Sequence, residues 1–341
     1  MKYNGGQIKT RRDGCMNRIQ DYIERIDKNN ARRLAQRGCS VVLTVGRILL
    51  IAGLCFVLLY PLIYMLSVAF RPSKEILDPS VIWIPKTFTL DNIKLAWELM
   101  EYGASLRNTL AIHIVSSLLQ VAVCALTSYG FARFQFKGKK LLFGIVVFSI
   151  MIPSQLTIIP ISRNMAYFNF FGLGEIGKLF GAAGTVNLLD TPLPFYIMAA
   201  FGAGIKSGLF IFIFRQFFRS LPKELEEAAA IDGCGFLKIF LKIILPNAVP
   251  VCVSAVILSV VWYWNDYYYS SMFVPNFSTV SLALSGLSDR YAAIYSAQLD
   301  PYEVVTLMQA GALLTIVPVL IMYIFLQRKL VQGMERSGLV G

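Results

Sequence analysis

The stretch EAAAIDGCGFLKIFLKIILP (227–246) carries the most specific spacing in the chain. Glu227, Ala228 and Ala229 are followed after three residues by Gly233, and after nine more by Ile243, Leu245 and Pro246. Such residues do not make or break bonds; they dock. The Glu227 carboxylate offers a charge-assisted hydrogen bond to a basic partner, and small alanines permit close approach. Pro222 suits a first helical turn, and Glu224, Glu226 and Glu227 sit at the positive end of the helix dipole. Residues 225–231 are mostly good helix formers, with Gly233 and Gly235 as the stop. The spacing predicts a short helix over 222–232, about 16 Å long at 1.5 Å per residue. A second helix follows, carrying Phe236, Leu237, Phe240, Leu241 and Ile244, with Lys238 and Lys242 placed to snorkel. Pro246 marks a break. An ordinary amphipathic connector is the alternative reading.

Bond-making chemistry finds little support. His113 is the only histidine, so neither a Ser-His-Asp triad nor a multi-histidine metal site can be assembled. It reads as a packed or pathway-lining side chain. GAGIKSG (202–208) has the look of a phosphate loop, but Ala200 and Ile205 stand where the glycines of G-x-x-x-x-G-K-[ST] belong. No nucleotide site is expected on this chain. The six cysteines form no C-x-x-C pair, which argues against a disulfide framework or a zinc site.

The elements that hold the docking stretch are membrane spans. The 341 residues are 56% hydrophobic and 15% charged, with a mean hydropathy of +0.60. Apolar runs of about 20 residues match a bilayer's hydrocarbon core. They fall at about 48–70, 109–132, 141–159, 195–214, 248–264 and 304–326, so the sequence predicts an all-α membrane protein with six transmembrane helices. Basic clusters precede span one and follow spans two, four and six, whereas the other loops are balanced or acidic. By the positive-inside rule both termini are cytoplasmic, and so is the 215–246 loop. The net charge of +12 is thereby explained by topology rather than by nucleic acid. No cleavable signal peptide is apparent, since the first apolar run is too long.

Three segments lie outside this plan. Residues 1–47 are basic, with Ile19, Tyr22, Ile23 and Ile26 at helical spacing. They read as an amphipathic helix on anionic lipid, or as a contact with a partner subunit. In 88–99, Thr89 is a candidate N-cap. Residues 161–192 form a Gly-rich outer segment. Lys206 is the one basic residue deep in a span, at a cost of about 2.5–3.5 kcal/mol on insertion scales. Ala200, Gly204 and Gly208 form a small-residue face suited to packing, from which Lys206 points away.

From about residue 48 onward the chain resembles carbohydrate-importer permeases of the ABC transporter superfamily, maltose-type subfamily. The resemblance rests on FTLDN (88–92), RNTL (107–110), SYGFARFQFKGKK (128–140), MIPSQLTIIPI (151–161), FRQFFRSLPKELEEAAAIDG (214–233), WND (264–266) and QRKLVQG (327–333). It implies an ABC importer permease core of spans two to six (109–341), wrapped by span one, which with an outer segment occupies 48–108. It also implies a second permease subunit, two ATPase subunits that hold the ATP and magnesium, and an extracytoplasmic solute-binding protein. ATPase-coupling contacts fall at Glu224, Glu227, Ala228, Ala229, Asp232 and Gly233. Pathway candidates are Lys206, Trp264 and Asn265. The chain itself is then no enzyme and carries no cofactor; it passes a sugar or oligosaccharide across the plasma membrane of a prokaryote by alternating access. A non-sugar solute such as a polyol or peptide stays open, as does an intramembrane enzyme or a facilitator. The aromatics at 262–269 fit sugar stacking or an interfacial belt. A longer outer segment, a C-terminal GLVG without a lysine and Lys206 itself depart from the family pattern.

Overall fold

The computed structural model describes residues 40, 42–169, 184–296 and 299–338. The expected N-terminal amphipathic helix, residues 170–183 of the outer segment and the last residues of GLVG lie outside them. The chain divides into two compact units between Tyr64 and Met65. Apart from one isolated antiparallel bridge, Phe168 to Val186, the described residues with regular structure are helical.

Helix α1 (Val42–Ala69) starts in the first unit and is strongly apolar, with a mean hydropathy of 2.5. In the second unit, a 3-10 turn (Ser73–Leu77) and α2 (Asp91–Leu99) precede α3 (Tyr102–Arg133). The N-cap of α2 is Leu90, with no side-chain cap bond, rather than the expected Thr89, whose hydroxyl accepts from the Asp91 N–H at 3.1 Å one residue earlier. A bent pair follows, α4 (Lys139–Met151) and α5 (Ser154–Ala166), turning through 106°. Then come α6 (Leu193–Ala200), α7 (Ser207–Ser220), α8 (Glu224–Ile231), α9 (Phe236–Asn247) and α10 (Val249–Trp264). Helices α11 (Tyr268–Phe273), α12 (Val280–Ser285) and α13 (Leu287–Tyr295) are short, and α14 (Pro301–Gly338) is long.

Among the described residues three helices are long and apolar enough to cross a membrane: α1, α3 and α14 as far as Gln327. Counting each bent pair as one span, α4 with α5 and α9 with α10, raises this to five. The six continuous spans expected from hydropathy are therefore not what forms. The third is bent at Ile152 and Pro153, because proline lacks the N–H to continue a helix. The fourth, expected over 195–214, is interrupted between α6 and α7. Gly202 and Lys206 there have positive φ, 67° and 59°, which no right-handed α-helix accommodates. Gly202 closes α6 with a Schellman pair, its own N–H to Ala199 O (3.2 Å) and the Ala203 N–H to Met198 O (2.8 Å). The small-residue face inferred for an unbroken helix consequently does not exist as one stripe. Gly204 packs on α3 and α10, Gly208 on α4: a Cβ at Gly204 would lie 2.5 Å from Tyr263 Oη, and one at Gly208 2.7 Å from Ser149 Oγ.

The largest core cluster unites α3 (Val121, Cys124, Tyr129), α7 (Phe210, Phe214, Phe218) and α10 (Val251, Ala255) with Ala229, Ile239, Phe240 and Ile244 of the docking loop. The loop is thus anchored in the core.

Candidate coupling site and pathway

Helix α8 has eight residues, about 12 Å, and is one turn shorter than the sequence suggests. It begins late because the Lys223 carbonyl accepts the first helical bonds, from Glu226 N (2.9 Å) and Glu227 N (3.0 Å). It ends in a second Schellman motif. Gly233 sits at φ 75°, with Gly233 N to Ala230 O and Cys234 N to Ala229 O, both 3.0 Å. Glycine is required there by the backbone alone, since nothing lies within 4 Å of the place a Cβ would take. The chain then enters α9, whose Phe240–Ile244 turn is a π-helix, and bends by 79° into α10.

Of the six expected coupling residues, Glu224, Glu227, Ala228, Asp232 and Gly233 are exposed. Ala229 is buried and faces the core. Ile231, 86% exposed, adds an apolar contact point. An acidic, small-residue face therefore looks outward while the opposite face is fixed.

What fixes it is Glu226, through two partners not assigned to it from the sequence. Arg133, the last residue of α3, donates through Nε to Glu226 Oε1 at 2.6 Å and through Nη2 to the Leu221 carbonyl at 2.9 Å. The Tyr129 hydroxyl donates to Glu226 Oε2 at 3.2 Å. Both side chains of the ion pair are largely buried, 8% and 17% exposed. The Tyr129 ring stacks on Phe236 (5.3 Å) and meets Phe240 (5.1 Å) and Phe218 (5.8 Å). One tyrosine and one arginine thus tie α3 and α7 to α8 and α9. The available signal is Glu226 itself. At 3.6 residues per turn, a glutamate two positions after Glu224 stands roughly on the opposite side of the helix and needs a separate partner.

The pathway candidates are dispersed. Lys206 precedes α7 and lines a cavity of about 340 Å³ where the two helix breaks meet, with Ser154, Thr157, Gly202, Ser207 and Tyr269. The break is pinned by Gln120 of α3, whose Nε2 donates to Ile205 O at 2.6 Å. Trp264 is buried and its indole N–H donates to Thr315 O at 3.1 Å, joining α10 to α14. Asn265 is exposed and donates to Val261 O. The adjacent Asp266 accepts from Ser270 N (2.8 Å), capping α11. His113 is buried between the rings of Phe195 and Tyr263.

Residues 122–336 match the family described as the binding-protein-dependent transport system inner membrane component. The chain belongs to this family. It is a multi-pass, non-catalytic permease subunit of the prokaryotic plasma membrane, with ATP hydrolysis on a separate chain. Over 307 residues it is 29% identical to the arabinooligosaccharides transport system permease protein AraQ of Halalkalibacterium halodurans, covering 89% of this chain and 97% of the relative. It is 30% identical over 268 residues to the melibiose/raffinose/stachyose import permease protein MelC of Bacillus subtilis, covering 77% and 86%. The osmoprotective compounds uptake permease protein GgtD of Synechocystis is 28% identical over 289 residues, covering 83% and 88%. Among solved structures, a bacterial ABC transporter involved in the import of the acidic polysaccharide alginate contains a chain of the same fold. The TM-score is 0.63 at 20% identity, with 84% of this permease and 96% of that chain covered.

Proposed function

We propose that this permease imports a sugar or oligosaccharide, as a maltose-type member of its family, by alternating access driven through α8. The observation that carries the reading is the two-faced α8. Its outer face (Glu224, Glu227, Ala228, with Asp232 and Gly233 at its end) is exposed, and its inner face is locked to α3 by Arg133 and Glu226. A displacement imposed on the outer face passes to α3, α7 and α10 as rigid-body motion. The outer face docks on one of two ATPase subunits; a second permease and an extracytoplasmic binding protein complete the complex. The sugar assignment is supported by the arabinooligosaccharide and melibiose/raffinose/stachyose permeases among the relatives.

In this reading the membrane is crossed six times with both termini cytoplasmic, the fourth crossing being made by α6 and α7 together. A break within a span is tolerated where the freed backbone is buried in protein or lines a water-filled cavity. Lys206 and the buried Ser207 hydroxyl, which has no partner among the described residues, give this cavity polar donors beside the solute path. Trp264, tied to Thr315 of α14, and the exposed Asn265 lie outside this cavity's lining.

Thiol labelling tests the topology. Cysteines at Ser220 and at Ile84, which is 82% exposed, are placed in a background without native cysteines. A membrane-impermeant reagent outside the cell should label 84 and miss 220; the reverse pattern overturns the reading.

A further inference from the structure

We propose that the basic cavity beside the coupling helix is a binding site for the headgroup of an anionic phospholipid. The cavity, about 1010 Å³, lies between the end of α3, the start of α4 and the end of α7. Its lining holds Arg133, Lys139, Lys140, Arg215, Arg219 and Lys223, and no carboxylate. Arg133 is committed to Glu226; the others have no acidic partner in the lining. Arg215 and Arg219 stand one turn apart on α7, an arrangement that like charge destabilises unless an anion intervenes. The Arg215 guanidinium lies over the Phe143 ring at 3.8 Å from its centroid. That contact fixes the group's plane, yet its buried Nε has no acceptor among the described residues. A planar, immobilised guanidinium with a donor to spare suits a phosphate oxygen.

The surroundings select a lipid rather than a free anion. Phe136, Leu141 and Phe143 share the lining with the cations. Leading away from the cavity, α4 presents Leu141, Ile145 and Phe148, which are 71%, 55% and 63% exposed. At spacings of four and three these make one apolar stripe running from the charges along the span, the course of an acyl chain below its headgroup. Basic pockets at helix ends are an established way of holding such headgroups. The site adjoins the coupling apparatus directly, since Lys223 precedes α8 and Arg133 holds it. Only the leaflet concerned, the inner one, depends on the topology proposed above.

The assembled transporter is purified in mild detergent with equal dioleoyl-phosphatidylglycerol and dioleoyl-phosphatidylcholine, and retained lipid is counted by native mass spectrometry. Wild type should keep phosphatidylglycerol at least tenfold over phosphatidylcholine, and R215Q/R219Q should lose most of that preference. Because Arg215 also packs on Phe143, K140Q/R219Q, altering two exposed side chains, serves as a second variant and should lower retention severalfold. K74Q/K94Q, two exposed side chains outside the cavity, should change nothing. Equal retention of the two lipids, or equal retention by wild type and both cavity variants, overturns the proposal. So does cavity-dependent binding of inorganic phosphate without any phosphatidylglycerol preference.

Discussion

Removing the Glu226 carboxylate tests how the coupling helix is held. In Glu226→Ala, Arg133 loses its 2.6 Å partner and the Tyr129 hydroxyl its acceptor. The arginine keeps only its bond to Leu221 O. Breaking a buried ion pair on one side costs roughly 3–5 kcal/mol. The residual exposure of 8% and 17% places this pair at the lower end, about 3 kcal/mol. At about 1.4 kcal/mol per tenfold, local detachment of α8 from α3 becomes roughly a hundredfold more frequent. Hydrogen exchange over 221–235 reads that directly. Protection there should fall by about two orders of magnitude while the middle of α3 is unchanged. In proteoliposomes the ATPase should stay bound, because the outer face is intact, and transport per ATP hydrolysed should drop. Arg133→Ala/Glu226→Ala should recover part of the loss, since no buried charge is left unpaired. Wild-type exchange and wild-type coupling in Glu226→Ala would refute the clamp.

Gly233→Leu must place a branched residue at φ 75°; the strain is about 1–2 kcal/mol, and ATP-coupled uptake should fall while membrane insertion, followed by the labelling pattern, persists. Gly204→Ala would drive a methyl to 2.5 Å from Tyr263 Oη and 2.7 Å from Gln120 Oε1. It should destabilise the detergent-solubilised protein by about 1–3 kcal/mol in thermal unfolding, whereas Gly144→Ala, with open space around it, should not. The loop after α1, where Glu75 accepts from Thr87 and Asp78 from Ser80 and Lys86, should be acid-labile. The Thr87 hydroxyl, with the Lys86 and Thr87 N–H groups, holds Glu75 below its usual range, and Lys86 with Ser80 does the same for Asp78. Carboxylates depressed in the folded state stabilise it above their ordinary pKa and cease to as pH falls through the lowered value. Protease protection of 73–89 should therefore persist at neutral pH, begin to weaken below about pH 4 and be lost only as pH falls through the lowered values, and Glu75→Gln/Asp78→Asn should abolish that dependence.

Much of this architecture is legible in the sequence because its signals are local. Helix α3 follows from an apolar run, α8 from its glutamates and alanines, and its end from Gly233. The kink at Pro153 is equally local. The α6–α7 break is harder to see because hydropathy averages across it: Phe201, Ala203 and Ile205 keep the window apolar while Gly202 and Lys206 turn the backbone. Gly202 is a helix stop of the same kind as Gly233, and pairing it with Gly204 and Gly208 locates the interruption. The clamp is hidden for a different reason. Arg133 and Glu226 are separated by 93 residues, and topology explains a basic residue at a span end without requiring a partner. Trp264 shows the converse: an aromatic motif suggests a solute contact, but its N–H is consumed by Thr315.

Disulfide cross-linking between α8 and the ATPase subunit tests the central claim most directly. Single cysteines replace Glu224, Ala228 or Ala229 in a background where Cys234 and the other native cysteines are removed, with a partner cysteine scanned along the ATPase surface. Exposed positions 224 and 228 should cross-link, and at 228 the yield should change between nucleotide-free and ATP-bound states. Buried position 229 should not react. Failure at 224 and 228, or reaction at 229 alone, would contradict a coupling helix that docks by its outer face.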